Sequence, residues 1–264
     1  MSGDWERLRV RESEHRLDIT LAWPEQRNAL DFTAWDELDE VMTDVAQRDQ
    51  IHVVTLTGDD PAFCAGVHFE AIGRSLEIER ARYPSFIRKW AGVADHFQRV
   101  AQPTIAAING PAVGAGFEIA LACDLRIASE RAVFAMPQMR MGIIPDAGGV
   151  GRLARAAGPA MAKDLILSGR VIDAEEALAT GIVSRVVTHD ALTGTVDELA
   201  THIAELPWPS PYFALFSIDG GLALDSTRAT DLTGIADQVM VREDDVWDRI
   251  TSFMESKGLK AVRR

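Results

Sequence analysis

The sequence predicts an α/β protein with a helical C-terminal region. Short β-branched or apolar runs, typical of buried strands, alternate with longer segments in which apolar residues recur at helical spacing. After residue 188 the strand pattern stops and the rest of the chain is mostly helical in pattern, with a break at the proline-rich residues 207–211. We therefore divide the chain into an α/β core, residues 1–206, and a C-terminal helical region, residues 207–264.

The strands of the core are predicted from short apolar runs bounded by turn residues. They lie at residues 8–23 (a pair with a turn near 13–15), 52–58, 104–109, 124–129 and 182–188. The helices are predicted from apolar residues three or four positions apart, such as Trp35, Leu38 and Val41. They lie at residues 33–50, 83–101, 116–123, 149–157, 159–168 and 174–180. Periodicity alone gives no strand order.

Composition argues against several classes of function. The formal net charge of −13 argues against non-specific nucleic-acid binding, which depends on basic residues that neutralise phosphates. No apolar run approaches the roughly 20 residues of a membrane span. The charged residues 1–16 lack the apolar segment of a secretory signal, so a cytoplasmic protein is expected. Two separated cysteines and scattered histidines predict neither a disulfide framework nor a metal site.

Two loops rich in small residues follow two of the predicted strands. The first is DDPAFCAGV at residues 59–67, and the second is GPAVGAGFE at residues 110–118. Glycine lets a ligand approach the main chain closely and can point successive N–H groups inward. The second loop also opens a helix, whose first amides favour negative charge. Either loop alone is equally well explained as a tight turn between a strand and a helix.

One alternative for the second loop is a nucleotide-binding turn. Gly110, Gly114 and Gly116 fit the GxxxGxG spacing of short-chain dehydrogenases. That spacing belongs after the first strand, together with a YxxxK motif, whereas here it lies deep in the chain. Neither Tyr83 nor Tyr212 is followed four residues later by lysine. Both points argue against a dehydrogenase.

Taken together and in order, five segments of the chain resemble the crotonase superfamily of enoyl-CoA hydratases and isomerases. They are PEQRNALD at 24–31, PAFCAGVHF at 61–69, QPTIAAINGPAVGAGFEIALACDLRIAS at 102–129, FAMPQMRMGIIPDAGGVGRL at 134–153 and LSGRVIDAEEALATGIVSRVV at 167–187. The resemblance covers most of residues 5–190. It implies a spiral of ββα units with a C-terminal helical trimerisation region, assembled as a homotrimer or a dimer of trimers.

The resemblance also implies an acyl-CoA thioester as substrate, with no metal or redox cofactor, since coenzyme A is part of the substrate. An oxyanion hole for the thioester carbonyl would be formed by one backbone N–H from each loop, here those of Val67 and Ala115. The family commonly has Ala-Asp where this chain has Val67-His68, but a backbone donor survives any side chain except proline. The positions expected to bind substrate or CoA are Gly66, Val67, His68, Phe69, Glu70 and Ala115.

Three positions are candidates for moving protons on the polarised thioester. By resemblance, Glu118 matches the first catalytic carboxylate of the hydratases, and Gln138 stands where they have a second glutamate. Asp146 matches a carboxylate used by some isomerases and, as a nucleophile, by dehalogenases. Gln cannot exchange protons at neutral pH, so the hydratase pair is incomplete. If Glu118 and Asp146 share an apolar pocket, at least one of their pKa values should be raised.

These residues favour an enoyl-CoA hydratase or isomerase of fatty-acid or related acyl-CoA metabolism, with a slight preference for double-bond isomerisation. Hydration by Glu118 and Asp146 remains an alternative, as does a non-catalytic acyl-CoA binder. A dehalogenase or thioester hydrolase is disfavoured by Gln138, where the dehalogenases have an aromatic residue. Asp146 could instead cap the following helix, and Cys64 is expected to be a small filler.

The acyl specificity cannot be predicted from the sequence. Phe86 and Trp90, in a segment that often borders the acyl pocket in the family, either line a pocket or simply pack. Lys89, Lys257 and Lys260 are candidate contacts of the CoA phosphates.

Overall fold

The computed structural model describes residues 5–259, and within that range the chain forms nine strands and ten α helices. The strands are β1 (Leu8–Ser13), β2 (Arg16–Leu21), β3 (Val53–Gly58), β4 (Thr104–Ile108), β5 (Ala112–Val113), β6 (Leu125–Ser129), β7 (Val133–Ala135), β8 (Val171–Asp173) and β9 (Arg185–Val187). The helices are α1 (Phe32–Val45), α2 (Phe69–Ser75), α3 (Tyr83–Arg99), α4 (Ala115–Ala122), α5 (Gly149–Ser168), α6 (Ala174–Ala179), α7 (Leu192–Ala204), α8 (Ser210–Gly221), α9 (Ser226–Met240) and α10 (Asp244–Ser256).

Six strands form the main sheet, in the order β1-β2-β3-β4-β6-β9. Only the first pair, β1 and β2, is antiparallel, and its register joins Leu8 to Leu21. The other neighbours are parallel. A smaller sheet has the order β5-β7-β8. Because β3 and β4 are parallel neighbours, the loops that follow them leave the main sheet at the same edge.

Both faces of the main sheet are covered by helices. Helix α1 buries the apolar side that its sequence spacing predicts, including Trp35, Leu38 and Val41, and Asp31 caps its first turn by accepting from the Ala34 amide. Helix α7 packs a separate cluster of apolar residues against β3, β4 and β6. The sheet is therefore buried on both sides, which explains its nearly continuous apolar strands.

The predicted elements differ from the observed ones mainly at their ends. The helix predicted at 33–50 stops at Val45, and the strand predicted at 182–188 is limited to β9. Helix α2 and the short strands β5, β7 and β8 were not predicted. Helix α5 is broken at Gly158, where φ is 80°, which is where two helices were predicted to meet.

Tertiary contacts divide the chain into one compact unit that ends at Ala204 and a second that begins at Glu205. The second unit contains α8, α9 and α10, and α8 packs against α9. The boundary predicted from the sequence, between residues 206 and 207, stays a prediction of domain organisation. Among the described residues, no helix combines the length and apolar character that crossing a membrane would require.

Candidate active site

The two glycine-containing loops lie side by side. Cys64 and Ala112 form an isolated parallel bridge, in which the Cys64 amide donates to Pro111 O over 3.1 Å and the Val113 amide donates to Cys64 O over 2.9 Å. The sequence separates these segments by more than 40 residues, but the parallel pairing of β3 and β4 brings them together. We call residues 64–67 and 112–116 the amide wall.

Close packing within the amide wall requires glycine at two positions. A Cβ atom on Gly116 would lie 2.5 Å from the Cβ of Cys64, closer than real side chains approach. A Cβ atom on Gly66, which has φ of +93°, would lie 2.8 Å from Val113 O and 3.4 Å from the Ala115 amide nitrogen. The two loops therefore approach each other directly beside the Ala115 amide.

The amides of Val67 and Ala115 are both free to donate. Leu30 pairs with the residues on either side of Val67, because its amide donates to Gly66 O over 2.8 Å and its carbonyl accepts from the His68 amide over 2.9 Å. Ala115 is the first residue of α4, where an amide has no partner in its own helix. Neither amide has a hydrogen-bond acceptor among the described residues. The wall thus offers two unsatisfied N–H groups at one point of close approach.

Two buried asparagines hold the first loop from behind. The side-chain amide of Asn28 donates to Asp59 O and Ala62 O, each over 2.7 Å. That of Asn109 donates to the carboxylate of Asp60 over 2.9 Å. The resemblance included both asparagines in its segments, but gave them no role.

A cavity of about 240 Å³ lies against the amide wall. Its lining combines backbone of the two loops, side chains of α2 and α3, and the turn before α5. The lining residues are Trp35, Ala65, Gly66, Val67, Phe69, Ala71, Ile72, Ser75, Tyr83, Phe86, Ile87, Trp90, Ala91, Val113, Gly114, Ala115, Glu118, Pro137, Gln138, Met141, Ile143, Asp146 and Ala147. The cavity is concave, mostly apolar and has few polar groups, which is typical of a small-molecule site.

Glu118 lies on α4 and is only 1% exposed. Its Oε1 accepts hydrogen bonds from the amides of Ala147 and Gly149, over 2.9 and 3.0 Å. Its Oε2 accepts from the Nε2 of Gln138 over 3.0 Å. Because a carboxylate oxygen can accept two bonds, Oε2 keeps one acceptor position that no described residue fills. We call Glu118, Gln138 and residues 145–149 the carboxyl wall.

The pKa of Glu118 is raised to about 7. Burial is the largest cause, since it penalises the charged form, and the negative charge of Asp146 adds to it. The hydrogen bonds from Gly149 and Ala147 and the positive charge of Arg152 act in the opposite direction. A carboxyl group with a pKa near neutrality can both accept and donate a proton at physiological pH.

Gln138 is 8% exposed and lies in the 3-10 helix Pro137–Met141. Its amide nitrogen is bonded to Glu118, whereas its buried Oε1 has no partner among the described residues. Gln138 therefore contacts the carboxylate as a hydrogen-bond donor and adds no second acid to the carboxyl wall.

Asp146 lines the same cavity, in an exposed position. Burial of its carboxyl group among the surrounding atoms nevertheless raises the pKa, while a hydrogen bond from its own backbone amide lowers it. The alternative that Asp146 caps α5 is wrong, because the cap residue is Gly148 and the first amide of the helix, that of Gly149, donates to Glu118. Glu118 and Asp146 thus line one cavity, the condition under which at least one raised pKa was expected, and both have raised pKa values.

The positions predicted to contact CoA do not all face the cavity. Gly66, Val67 and Phe69 line it, and Phe69 is 83% exposed. His68 precedes α2 with its ring 5.1 Å from that of Trp23 and does not line the cavity. Glu70 is exposed on α2 and does not line it either. Contacts of these residues with CoA stay predictions.

Of the other residues singled out in the sequence, two aromatic residues line the cavity and the others that the structure describes do not. Phe86 and Trp90 line the cavity, with ring centroids 4.3 Å apart. Lys89 is paired with Asp36 over 2.5 Å, and Lys260 lies outside the described residues. Cys64 is fully buried, and burial raises the pKa of its thiol to about 12, which is consistent with a filler. No group of three or more metal-ligating side chains occurs within residues 5–259.

Sequence reasoning missed Arg152, which is buried behind the carboxyl wall and donates to Ala147 O over 2.7 Å. It also gave no role to Met141 and Ile143, which line the cavity. No local pattern marks these positions, because their neighbours in space are distant in the sequence.

Comparison with known proteins gives a consistent result. A profile of the enoyl-CoA hydratase/isomerase family matches residues 12–254. The short-chain-enoyl-CoA hydratase of Clostridium acetobutylicum is 32% identical over 93% of each chain, and the carnitinyl-CoA dehydratase of Citrobacter koseri is 38% identical over 71% of this chain and 70% of its own. The crystal structure of an enoyl-CoA hydratase from Bacillus anthracis superposes with a TM-score of 0.88 at 30% identity and covers 98% of both chains.

Proposed function

The chain belongs to the enoyl-CoA hydratase/isomerase family of the crotonase superfamily, and we propose that it isomerises a double bond in an acyl-CoA thioester through an enolate. The observation that carries the choice of reaction is the contact between the Gln138 amide and Glu118. The two free amides of the amide wall and the two carboxyl groups of the cavity supply the chemistry.

In this proposal the thioester oxygen accepts hydrogen bonds from Val67 N and Ala115 N. Neither amide must first break an internal hydrogen bond, because neither has an acceptor among the described residues. Donors fixed in advance stabilise the negative charge that develops on the oxygen when a proton leaves C2. The position of Ala115 at the start of α4 adds the favourable end of the helix dipole.

The carboxyl wall then carries the proton from one carbon of the substrate to another. A carboxylate removes a proton from C2 of a 3-enoyl-CoA, and the electron pair is delocalised over the thioester and the double bond. Return of that proton to C4 gives the 2-enoyl-CoA, with no net gain or loss of atoms. Asp146 suits this transfer because its carboxylate bonds to no other described residue. Glu118, with a pKa of about 7, lines the same cavity and shares the transfer as the second proton carrier.

Isomerisation is favoured over hydration because water addition needs a group that activates water and another that protonates carbon. The amide of Gln138 cannot exchange protons at neutral pH, and it takes one of the two acceptor positions of Glu118 Oε2 as a donor. Isomerisation consumes no water and needs only one carboxylate that reaches both carbons.

Hydration by Glu118 and Asp146 is the second candidate. Both carboxyl groups line the same cavity, and one relative is named a short-chain-enoyl-CoA hydratase. In that reaction one carboxyl group would align water, while the other delivers a proton to the α-carbon.

Incubation of the protein with a 2-enoyl-CoA and with the matching 3-enoyl-CoA separates these reactions. We expect conversion of the 3-enoyl isomer to exceed hydration of the 2-enoyl isomer. Fast hydration without any shift of the double bond would overturn the choice of isomerisation. Tight binding of acyl-CoA with no turnover across a panel of enoyl-CoAs would instead identify a non-catalytic binder.

A further inference from the structure

Arg152, on the first turns of α5, is 6% exposed, and its guanidinium makes hydrogen bonds in three directions. Burial of a charged group is costly unless it is paired and hydrogen-bonded. The guanidinium lies against the turn that carries Asp146, so its contacts bear on the position of that turn.

One branch of the guanidinium holds the turn before α5. Nη1 donates to Ala147 O over 2.7 Å. A Cβ atom on Gly148 would lie 2.2 Å from the same nitrogen, so Arg152 packs directly against the backbone of this turn. The other side of the turn presents the amides of Ala147 and Gly149 to Oε1 of Glu118. The turn is thus held between the guanidinium and the Glu118 carboxylate.

The other branches are held by α3. Nη2 pairs with Asp95 over 2.6 Å, and Nε donates to Gln98 over 3.0 Å. Asp95 also pairs with Arg99, over 3.3 Å. Helix α3 carries Phe86, Trp90 and other residues of the cavity wall on its earlier turns. A continuous set of contacts therefore runs from the cavity wall on α3, through the guanidinium, to the turn that binds Glu118.

We propose that Arg152 is a positioning residue, which fixes the 145–149 turn so that Glu118 and Asp146 keep their places in the cavity. This inference rests on the proposed function, in which both carboxyl groups move protons. Arg152 does not line the cavity and donates to neither reacting carboxylate, so it acts through Ala147 O. The planar fork of arginine suits this task, because it bonds the turn and α3 at the same time.

The charge of Arg152 has a second effect on Glu118. It lowers the pKa of that carboxyl group, against burial and the charge of Asp146, which raise it. The other groups that face Glu118 are the neutral Gln138 amide and the amides of the turn. Removal of the guanidinium should therefore raise the pKa of Glu118 further above its usual range.

The test compares Arg152→Gln with Arg152→Lys and with Arg126→Gln. Arg126 is a matched control, since its guanidinium likewise bonds to the backbone, through the carbonyls of Ile182 and Cys123, and it does not line the cavity. The measurements are kcat and KM with a 3-enoyl-CoA, and the pH titration of Glu118 by carbon-13 NMR of labelled glutamate. The Glu118 signal is the one that Glu118→Gln removes.

In Arg152→Gln we expect kcat to fall on the order of 10²-fold, since small displacements of catalytic groups have effects of this size. The KM should stay nearly constant, and the NMR titration of Glu118 should move to higher pH. Arg152→Lys keeps the charge without the fork, so it should restore the titration and recover only part of kcat. Arg126→Gln should leave kcat and the titration of Glu118 unchanged.

An unchanged kcat and an unchanged titration in a folded Arg152→Gln protein would overturn the inference. Equal losses in Arg126→Gln would do the same, since they would point to general destabilisation. Should Arg152→Gln fail to fold, Asp95→Leu loosens the same contacts from α3, and it must lower kcat at constant KM. A wild type without enoyl-CoA turnover would refute the proposed function, while the NMR titration would still test the role of Arg152.

Discussion

The amide wall and the carboxyl wall face the same cavity, but they are built in different ways. The amide wall consists of backbone from two loops, fixed by a parallel bridge and by glycines that nothing larger can replace. The carboxyl wall presents side chains from three separate segments, and its central carboxylate, that of Glu118, is held by the side chain of Gln138 and by the backbone amides of Ala147 and Gly149. The amide wall depends on the backbone conformation of its two loops, whereas the carboxyl wall depends on the identity and the surroundings of particular side chains.

This difference explains which property each wall can vary. Any residue except proline supplies a backbone donor, so Val67 replaces the more common alanine without loss of the N–H group. A substitution in the carboxyl wall changes the chemistry itself, as the amide of Gln138 illustrates. Under the proposed function, the amide wall therefore defines the class of substrate, and the carboxyl wall selects the reaction.

The largest effect is expected from Glu118→Gln. This change keeps the shape and removes the titrating group, so kcat should fall by about 10³, within the usual range for loss of an acid or base. Steady-state kinetics on an enoyl-CoA measure it, with Glu175→Gln on the exposed face of α6 as a control that should retain full activity. Retention of kcat in Glu118→Gln would mean that the carboxyl wall acts through Asp146 alone.

Ala115→Pro tests the amide wall by placing the proline Cδ where the Ala115 N–H hydrogen pointed, so that it blocks the donor position as well as removing the donor. Proline is tolerated at the first position of a helix, and it removes the one N–H group in question. We expect kcat to fall by about 10²–10³, as for the loss of one oxyanion donor. Ala115→Ser keeps the N–H group and should be nearly normal. Equal activity of the two variants would exclude Ala115 N as a donor to the transition state.

Asp146→Asn and Gln138→Ala test the division of labour within the carboxyl wall. We expect Asp146→Asn to lower the isomerisation rate on the order of 10²-fold, because it removes a proton carrier. Gln138→Ala removes only a hydrogen-bond donor and should cost far less. Similar losses in the two variants, measured as initial rates on a 3-enoyl-CoA, would show that Asp146 is structural.

A last effect concerns the pH dependence of stability and not the rate of the reaction. Burial raises the pKa of Glu118 from 4.5 to about 7, so the folded state binds the proton more tightly than the unfolded state. The wild type should therefore lose stability as pH rises from about 4.5 through 7, by on the order of 3 kcal/mol. Glu118→Gln lacks this loss. The free energy of unfolding by urea should therefore rise in Glu118→Gln relative to the wild type between pH 5 and pH 8. A difference between the two proteins that does not change with pH would contradict the raised pKa of Glu118.

The two walls also differ in how far they could be predicted from the sequence. The family, the fold class and the pairing of Val67 with Ala115 followed from the order of local motifs, and the family and fold are confirmed by the comparisons. The short strands β5, β7 and β8 were missed, because two- or three-residue strands carry no periodic signal. The trimeric or hexameric assembly stays a prediction.

For the carboxyl wall, the sequence supplied the residues but not their environment. The free position on Oε2 of Glu118 and the orphan oxygen of Gln138 depend on side-chain directions between segments 20 residues apart. The place of Arg152 depends on α3, more than 50 residues earlier in the chain. Such contacts are set by tertiary packing, and no local spacing predicts them.

Proton exchange at C2 of a saturated acyl-CoA, such as butyryl-CoA, tests the cooperation of the two walls most directly. In D₂O, proton NMR follows loss of the C2 signal, which requires both removal of the proton and stabilisation of the enolate. The wild type should exchange this proton, and both Ala115→Pro and Glu118→Gln should slow the exchange strongly. Binding of butyryl-CoA by the wild type without exchange above the buffer rate, or exchange by Ala115→Pro at the wild-type rate, would contradict the account.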